Sequence, residues 1–392
     1  MSDEGQLVER ITRALSIRPI LFSHALKAPS SNARSVRGKP RSVLRPLIAG
    51  EATKKHSKSS PSAKAGTSRR LRIGRAWNSS ILRLAVGDDA AILAPDGKNQ
   101  WVFTCDAFLE NVHFLMSTHP PDSVGYKSLV RATSDVVAMG ANPRLFLLTL
   151  ALSAKALRPN WLNSFLRGMA RAARELGMAI IGGDTTKSDR VFISITAIGE
   201  IAPEQGLTRS GARPGDLIYV SGKLGRAQLG LAMVLRGYAR DPRFRAIVQP
   251  HLYPKTHPDL GMWLARRRIA SSMMDISDGL STDLARLCAA SRTGAEIWAD
   301  KIPVVPVPEK ILRKLGKRNI DSLQLALHGG EDYELLFTLP QRHLQNLRSA
   351  PGFAALSPIG QITACRKLLL IENDGRTRPL ARKGWDPFRE NT

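Results

Sequence analysis

The sequence predicts an α/β (α+β) protein built as two α/β domains, and three observations carry that reading. A chain of 392 residues, 43% of them hydrophobic, is long enough to bury two cores. From Ile81 onward short apolar runs alternate with stretches of helical periodicity. Around Pro203 to Gly215 a polar stretch with Gly and Pro breaks the alternation, which then resumes, so a boundary between two halves is expected there. The expected organisation is an opening helix in residues 1–15, a basic insert over 16–80, an N-terminal domain over 81–205 and a C-terminal domain over 206–392.

Taken in order, Gln6 to Leu15 places Leu7, Val8, Ile11 and Leu15 on one helical stripe. Trp101–Cys105, Leu145–Leu152, Ala179–Gly183 and Val191–Gly199 are short apolar runs that read as strands. Between them, Val124 to Met139 and Trp161 to Leu176 read as helices, the second entered through Pro159-Asn160. The second half repeats the pattern, with a strand in LIYVSG and helices over Gly225 to Tyr238, Asp259 to Arg268 and Asp278 to Ser291. Further strands are expected over Tyr333–Leu339 and Lys367 to Glu372.

Three cysteines without CxxC spacing argue against a disulfide framework and a zinc knuckle, and for a reducing compartment. Leu145 to Leu152 is too short to span a bilayer. With an acidic start at Asp3 and Glu4 in place of a secretory signal, the expectation is a cytoplasmic protein without a membrane role. The net charge of +25 points towards nucleic acid only if it lies on a folded surface. More than half of it is expected not to: Ser16 to Ser80 holds fifteen Lys or Arg against one acid, Glu51, a net of +14. That Ser-, Pro-, Lys- and Arg-rich segment lacks periodic apolar residues and is expected to be disordered. A solvated insert is favoured over a nucleic-acid- or polyanion-binding tail, and a transit peptide is disfavoured because the basic stretch starts inside the chain.

The informative anomaly is the placing of acids. VGDDAAIL, VFTCDAF, ATSDVVAMGA, IIGGDTT, MMDISDGL and HGGEDYELLF set carboxylates among apolar or glycine residues. An unpartnered buried carboxylate costs several kcal/mol or more, so each needs a partner. Salt bridges would satisfy any single motif, but no Lys or Arg lies inside the six, so a hard cation with oxygen ligands is the expected counterion. Asp88 and Asp89 lie between small residues. Asp106 and Asp184 are expected just after strands, where α/β folds bind ligands. Asp135 falls inside a helix. Asp275 and Asp278 flank Ser277 at a helix entrance, where an N-cap role for Asp278 is the simpler alternative. Arg209, in LTRSGARPGD, suits bidentate phosphate contact better than Lys187. The usual nucleotide motifs, GxxxxGK[ST] and GxGxxG among them, are absent. His113 in ENVHF reads as a core histidine. Glu331-Asp332 are two acids entering an apolar strand, and Trp385 is either packing or a face for a flat cationic ring.

At these residues the chain resembles the thiamine-monophosphate kinase family, of the superfamily that includes aminoimidazole ribonucleotide synthetase and selenophosphate synthetase. The matching motifs are GDDAAI, Asp106 to Phe114, YKSLVRATSDVVAMGA, IGGDTT, LTRSGARPGD, DISDGL, HGGEDYELLF and KGWDPF, in order along Leu84 to Phe388. The resemblance implies two domains of the aminoimidazole ribonucleotide synthetase type, a homodimer formed through the N-terminal domain, and ATP-dependent conversion of thiamine monophosphate to thiamine diphosphate. It also implies Mg2+ held by Asp89, Thr104, Cys105, Asp106, Asp135, Asp184, Asp275 and Asp278. Gly183, Asp184, Arg209 and Ser277 would meet ATP, and His113, Glu331 and Trp385 the thiamine moiety. Asp89, Asp184 and Asp275 are the expected catalytic carboxylates. Two departures stand out. Cys105 replaces the usual Thr, and a thiol is a poor Mg2+ ligand, so only its carbonyl would serve. Asn111 replaces Gly, which is mild because Asn tolerates positive φ. The alternatives are another ATP-dependent member of the superfamily, or polyanion binding through residues 16–80.

Overall fold

The computed structural model describes residues 10–11, 13–15, 81–84, 87–94 and 99–388. The predicted disordered insert over 16–80 lies outside the described residues. Residues 10, 11 and 13–15 are helical, and Ile11 and Leu15 are buried in the first core, as the opening stripe requires.

The first sheet has six strands: β1 (Leu82–Leu84), β2 (Ala91–Leu93), β3 (Gln100–Leu109), β4 (Asn142–Leu152), β5 (Ala179–Lys187) and β6 (Phe192–Ile201), in the order β1-β2-β3-β6-β4-β5. Only β4–β5 is parallel. One face is covered by α1 (Pro121–Ala138) and α2 (Pro159–Leu176). The two helices touch backbone to backbone. A Cβ on Gly125 would fall 2.1 Å from the Phe165 carbonyl oxygen, and one on Gly168 would fall 1.8 Å from that of Asp122. No larger residue fits that crossing.

Between Ile201 and Leu217 the chain crosses to the second sheet without helix or strand. That sheet contains β7 (Leu217–Val220), β8 (Ser272–Asp275), β9 (Gly294–Trp298), β10 (Leu335–Leu339), β11 (Ser357–Thr363), β12 (Leu368–Ile371) and β13 (Thr377–Pro379), ordered β13-β12-β9-β11-β7-β10-β8. Its helices include α3 (Arg226–Leu235), α4 (Arg245–Leu252), α5 (Pro258–Arg267), α6 (Leu280–Ser291), α7 (Glu309–Leu315) and α8 (Ser322–His328).

Helix α1 joins the halves. Fourteen of its 18 residues are buried, a pattern expected of a helix enclosed on all sides rather than lying on a surface. Its Val137 and Ala138 belong to the core formed by α5, β8 and β10. Every polar side chain that α1 carries therefore faces protein or a cavity.

Both sheets are mostly antiparallel, which corrects one expectation. Asp106 and Asp184 do not follow strands; they lie within β3 and β5. In an antiparallel sheet alternate residues along a strand face one layer, so a site can draw on the middle of a strand.

Candidate active site

The site is built around one stripe of α1. Lys127, Arg131 and Asp135 are spaced four apart, so all three project from the same side. On β3, Thr104 and Asp106 are two apart and face that stripe. Thr104 Oγ1 donates to Asp135 Oδ2 at 2.6 Å. Arg131 grips Asp106 with two hydrogen bonds, Nε to Oδ2 at 2.6 Å and Nη2 to Oδ1 at 3.2 Å. Cys105, between them, points to the opposite face, where its Sγ lies 3.5 Å from Ser194 Oγ. Its thiol takes no part in the cluster.

Three carboxylates from separate elements converge: Asp89 before β2, Asp135 on α1 and Asp275 at the end of β8. Each offers an oxygen, and the three oxygens lie within 4.8 Å of one another. Burial and the charge of Asp275 push the Asp89 carboxyl up to about 7, against the opposing pull of Arg209. Burial, with Asp275 and Asp89 beside it, holds Asp135 well above the usual carboxylate range. Burial also raises Asp275, although the Ser134 hydroxyl, donating at 2.6 Å, and Arg209 oppose the shift. Asp89 Oδ2 is buried without a hydrogen-bond partner. An all-oxygen donor set with an orphaned buried oxygen and mutually repelling charges fits a hard divalent cation.

The expectation that cations are lacking near these acids is corrected for Asp88, Asp89, Asp106 and Asp278. Arg209, from the crossing between the sheets, bonds Asp89 Oδ1 through Nε at 3.0 Å and through Nη2, while its backbone N–H reaches Asp88. Arg286 pairs with Asp278 and Asp283. The N-cap reading of Asp278 is not met: α6 starts after Gly279 with no side-chain cap, and the Asp278 carboxylate goes to Arg286. Only Asp135 and Asp275 have hydroxyl partners in place of an arginine.

A cavity of about 500 Å³ extends from the acids. Asp106, Asp135, Asp275, Ser277 and Asp278 line one end. His113, Glu331, Tyr333 and Trp385 line the other. His113 lies 5.5 Å from both the Phe108 and Trp385 rings, and its Nδ1 accepts from the Leu109 N–H at 3.0 Å. Burial and then Arg131 lower it to about 4, so it is a neutral aromatic surface. Glu331 does not enter a strand, since β10 starts at Leu335. It sits with φ 69° in the left-handed region, held by its N–H to the Ser277 carbonyl at 2.7 Å. Burial alone would raise its carboxyl, but Lys127 at 2.7 Å and His251 at 3.2 Å outweigh that and hold it well below the usual range. Asp332 has a structural task, accepting from the N–H groups of Gly225 and Ala227 at the start of α3. Asn111 adopts φ 68°, the conformation for which Asn is a mild replacement of Gly.

Two predicted residues lie apart. Strand register sets Asp184 opposite Thr149, and Thr149 opposite Ser194, on the face that Cys105 also occupies. From β5 to β3 there are three inter-strand spacings, roughly 14 Å. Asp184 is exposed there. Gly183 has a packing reason of its own, because a Cβ on it would fall 1.8 Å from the Leu148 carbonyl oxygen. Residues that sequence reasoning missed are Lys127, Arg131, His119 and His251. The four-residue spacing of Lys127, Arg131 and Asp135 in an otherwise apolar helix is the signal that could have found the first two. Nothing local marks the histidines.

Residues 87–201 match the model of the AIR synthase related protein N-terminal domain, and residues 213–371 that of its C-terminal domain. The chain is thus of the AIR synthase-related class. It is 36% identical over 267 residues to thiamine-monophosphate kinase of Haemophilus influenzae, covering 68% of this chain and 78% of that protein. It is 35% identical over 313 residues to thiamine-monophosphate kinase of Escherichia coli, covering 78% and 92%. A structure of AaThiL complexed with AMPPCP and TMP aligns with a TM-score of 0.67 and 32% identity, over 76% of this chain and 91% of that one. The chain belongs to the thiamine-monophosphate kinase family.

Proposed function

We propose that this chain transfers the γ-phosphoryl group of ATP to thiamine monophosphate, giving thiamine diphosphate. The observation that carries the reading is the convergence of Asp89 with Asp135 and Asp275, the latter two lining a cavity that is elsewhere aromatic and anionic. Asp89, Asp135 and Asp275 would hold Mg2+, with Asp106 and Asp278 beside them. When bound, Mg2+ neutralises charge on the transferring phosphoryl group. The acceptor oxygen belongs to a phosphate that is already anionic near neutral pH, so no side chain need remove a proton. The residues of the chain orient and shield. Arg209 and Ser277 would meet the nucleotide, and the His113–Trp385 pair would offer an aromatic surface to a flat ring. Glu331 offers a carboxylate to the cationic thiazolium. Incubating the purified protein with ATP, Mg2+ and a panel of phosphorylated metabolites, with products identified by mass, tests this. Thiamine diphosphate is the expected product; transfer to another acceptor in preference would replace the reading.

We infer a homodimer through the open face and edges of the first sheet. Leu147 and Ile181 are 37% and 53% exposed there. β2 pairs only with Trp101 to Phe103, leaving the outer edge of β3 from Thr104 onward without a strand among the described residues. β5 is the other open edge. A second copy set against these edges would approach Asp184 and Cys105 together, which would account for the separation of Asp184 from the trio. Ile181→Glu should give a monomer by light scattering; an unchanged mass would count against this interface. Among the described residues no helix is long and apolar enough to cross a membrane.

A further inference from the structure

Behind Glu331 runs a chain of buried polar side chains, ending at His119 on the cavity wall, that phosphoryl transfer does not itself require. His251 on α4 is 1% exposed and His119, between β3 and α1, is 5% exposed. Their Nε2 atoms are 3.0 Å apart. His251 Nδ1 is 3.2 Å from Glu331 Oε2, the same oxygen that Lys127 Nζ reaches at 2.7 Å. The hydrogen-bond network assigns the protons. Facing a carboxylate, His251 carries its proton on Nδ1 and accepts at Nε2. His119 must then donate from Nε2, which leaves its Nδ1 to accept from the Leu115 N–H at 3.2 Å and the Thr118 hydroxyl at 3.0 Å. Lys127 Nζ also lies 3.4 Å from His251 Nδ1; with the proton on Nδ1, each step from Glu331 through His251 to His119 pairs a donor with an acceptor, and four separate segments of the chain contribute.

The arrangement is directional. A lysine alone supplies charge on a flexible stem; a planar ring anchored at both nitrogens fixes where the carboxylate points. Both contacts fall on Oε2, leaving Oε1 for the cavity that Glu331 lines. The backbone is constrained to match. Glu331 and Tyr333 both hold left-handed φ angles, 69° and 52°, anchored by N–H bonds to Ser277 and Ile276 carbonyls. Left-handed non-glycine residues persist where surroundings over-determine them, and they cluster at ligand clamps.

We propose that Lys127, His251 and His119 are positioning residues for the acceptor, locking Oε2 of Glu331 so that Oε1 is presented to a cationic ring set against the His113–Trp385 pair. This rests on the thiamine monophosphate reading above. It is tested by steady-state kinetics on the full chain with both substrates varied, comparing wild type, His251→Gln, His251→Asn and His119→Gln. The glutamine amide at position 251 imitates Nε2 and loses the bond to Glu331, whereas asparagine imitates Nδ1 and keeps it. His251→Gln should raise KM for thiamine monophosphate by about tenfold, the order expected for a lost hydrogen bond to a charged group. KM for ATP and kcat should stay within about twofold. His251→Asn should recover most of the loss. His119→Gln, which still donates to His251, should lie close to wild type. Unchanged acceptor KM in His251→Gln would overturn the proposal. So would equal damage in both His251 variants with a matching rise in KM for ATP or fall in melting temperature, since that pattern is merely structural. A wild-type protein that does not phosphorylate thiamine monophosphate removes the functional reading, and this proposal with it.

Discussion

At one end of the cavity Asp89, Asp135 and Asp275 crowd together with more negative charge than their partners offset, and all three carboxyls are pushed up. At the other end the Glu331 side chain keeps 23% of its surface exposed, and its carboxyl is held down because Lys127 and His251 meet it inside the protein. Burial acts in the same direction on all four acids. What differs is whether the cation is built in. The end that lacks its counterion is the end that needs an external one, and the end that carries its own is the one suited to a ligand of modest charge.

The largest effect that separates the two ends is on turnover. Asp275→Asn should lower kcat by at least about 10³-fold, the order expected for losing metal-based charge stabilisation. Its metal-free melting temperature should hold or rise, because repulsion is relieved. Glu331→Gln should instead weaken both folding and acceptor binding. It strands Lys127, which is 2% exposed, and breaking such a buried pair costs about 3–5 kcal/mol. Thermal melts alongside kinetics check both; a destabilised Asp275→Asn beside a stable Glu331→Gln would invert the comparison.

The pH dependence should carry opposite signs. The Asp89 carboxyl rises from its ordinary 3.8 to about 7 on folding, so the unfolded chain ionises first. Metal-free protein therefore loses stability from this group as pH rises from about 4 to about 7, and Asp89→Asn should flatten that slope. Glu331, lowered from 4.5, adds stability that is complete above its ordinary value and lost as pH falls through the depressed one. Glu331→Gln should remove that acid-side loss. Melting curves across pH in chelator separate the two. The smallest effect is expected at Trp385, which is 42% exposed and tilted against His113. Trp385→Ala should raise acceptor KM by about three- to tenfold, as for one lost cation–ring contact, with kcat little changed.

Much of this was legible because a buried acid is anomalous in a sequence. DISDGL, GDDAAI and ATSDVVAMGA could be singled out without any geometry. The long helices of the first half and α3, α5 and α6 of the second were legible through periodicity, whereas the short α4, α7 and α8 and the strands β9 and β11 went unread. What was not legible was pairing across distance. Arg209 and Asp89 are 120 residues apart, and His119 and His251 are 132 apart. Asp89 and Arg209 could each be singled out but not as partners, and nothing in their own neighbourhoods marks the two histidines. The strand that delivers Asp275, Ser272–Asp275, went unread because four residues, two of them Met, show no alternation. Asp106 and Asp184 were expected after strands because the apolar runs stop at Cys105 and Gly183, whereas β3 and β5 continue to Leu109 and Lys187 and set them mid-strand on opposite faces.

The most direct test of the central claim is cation binding itself, followed with Mn2+ as a paramagnetic substitute for Mg2+ by electron paramagnetic resonance. Wild-type protein with a non-hydrolysable ATP analogue should bind the ion, and the Asp89→Asn/Asp275→Asn double variant, folded by circular dichroism, should lose that binding. Equal binding by the two proteins would contradict the assignment of these carboxylates as the metal cage.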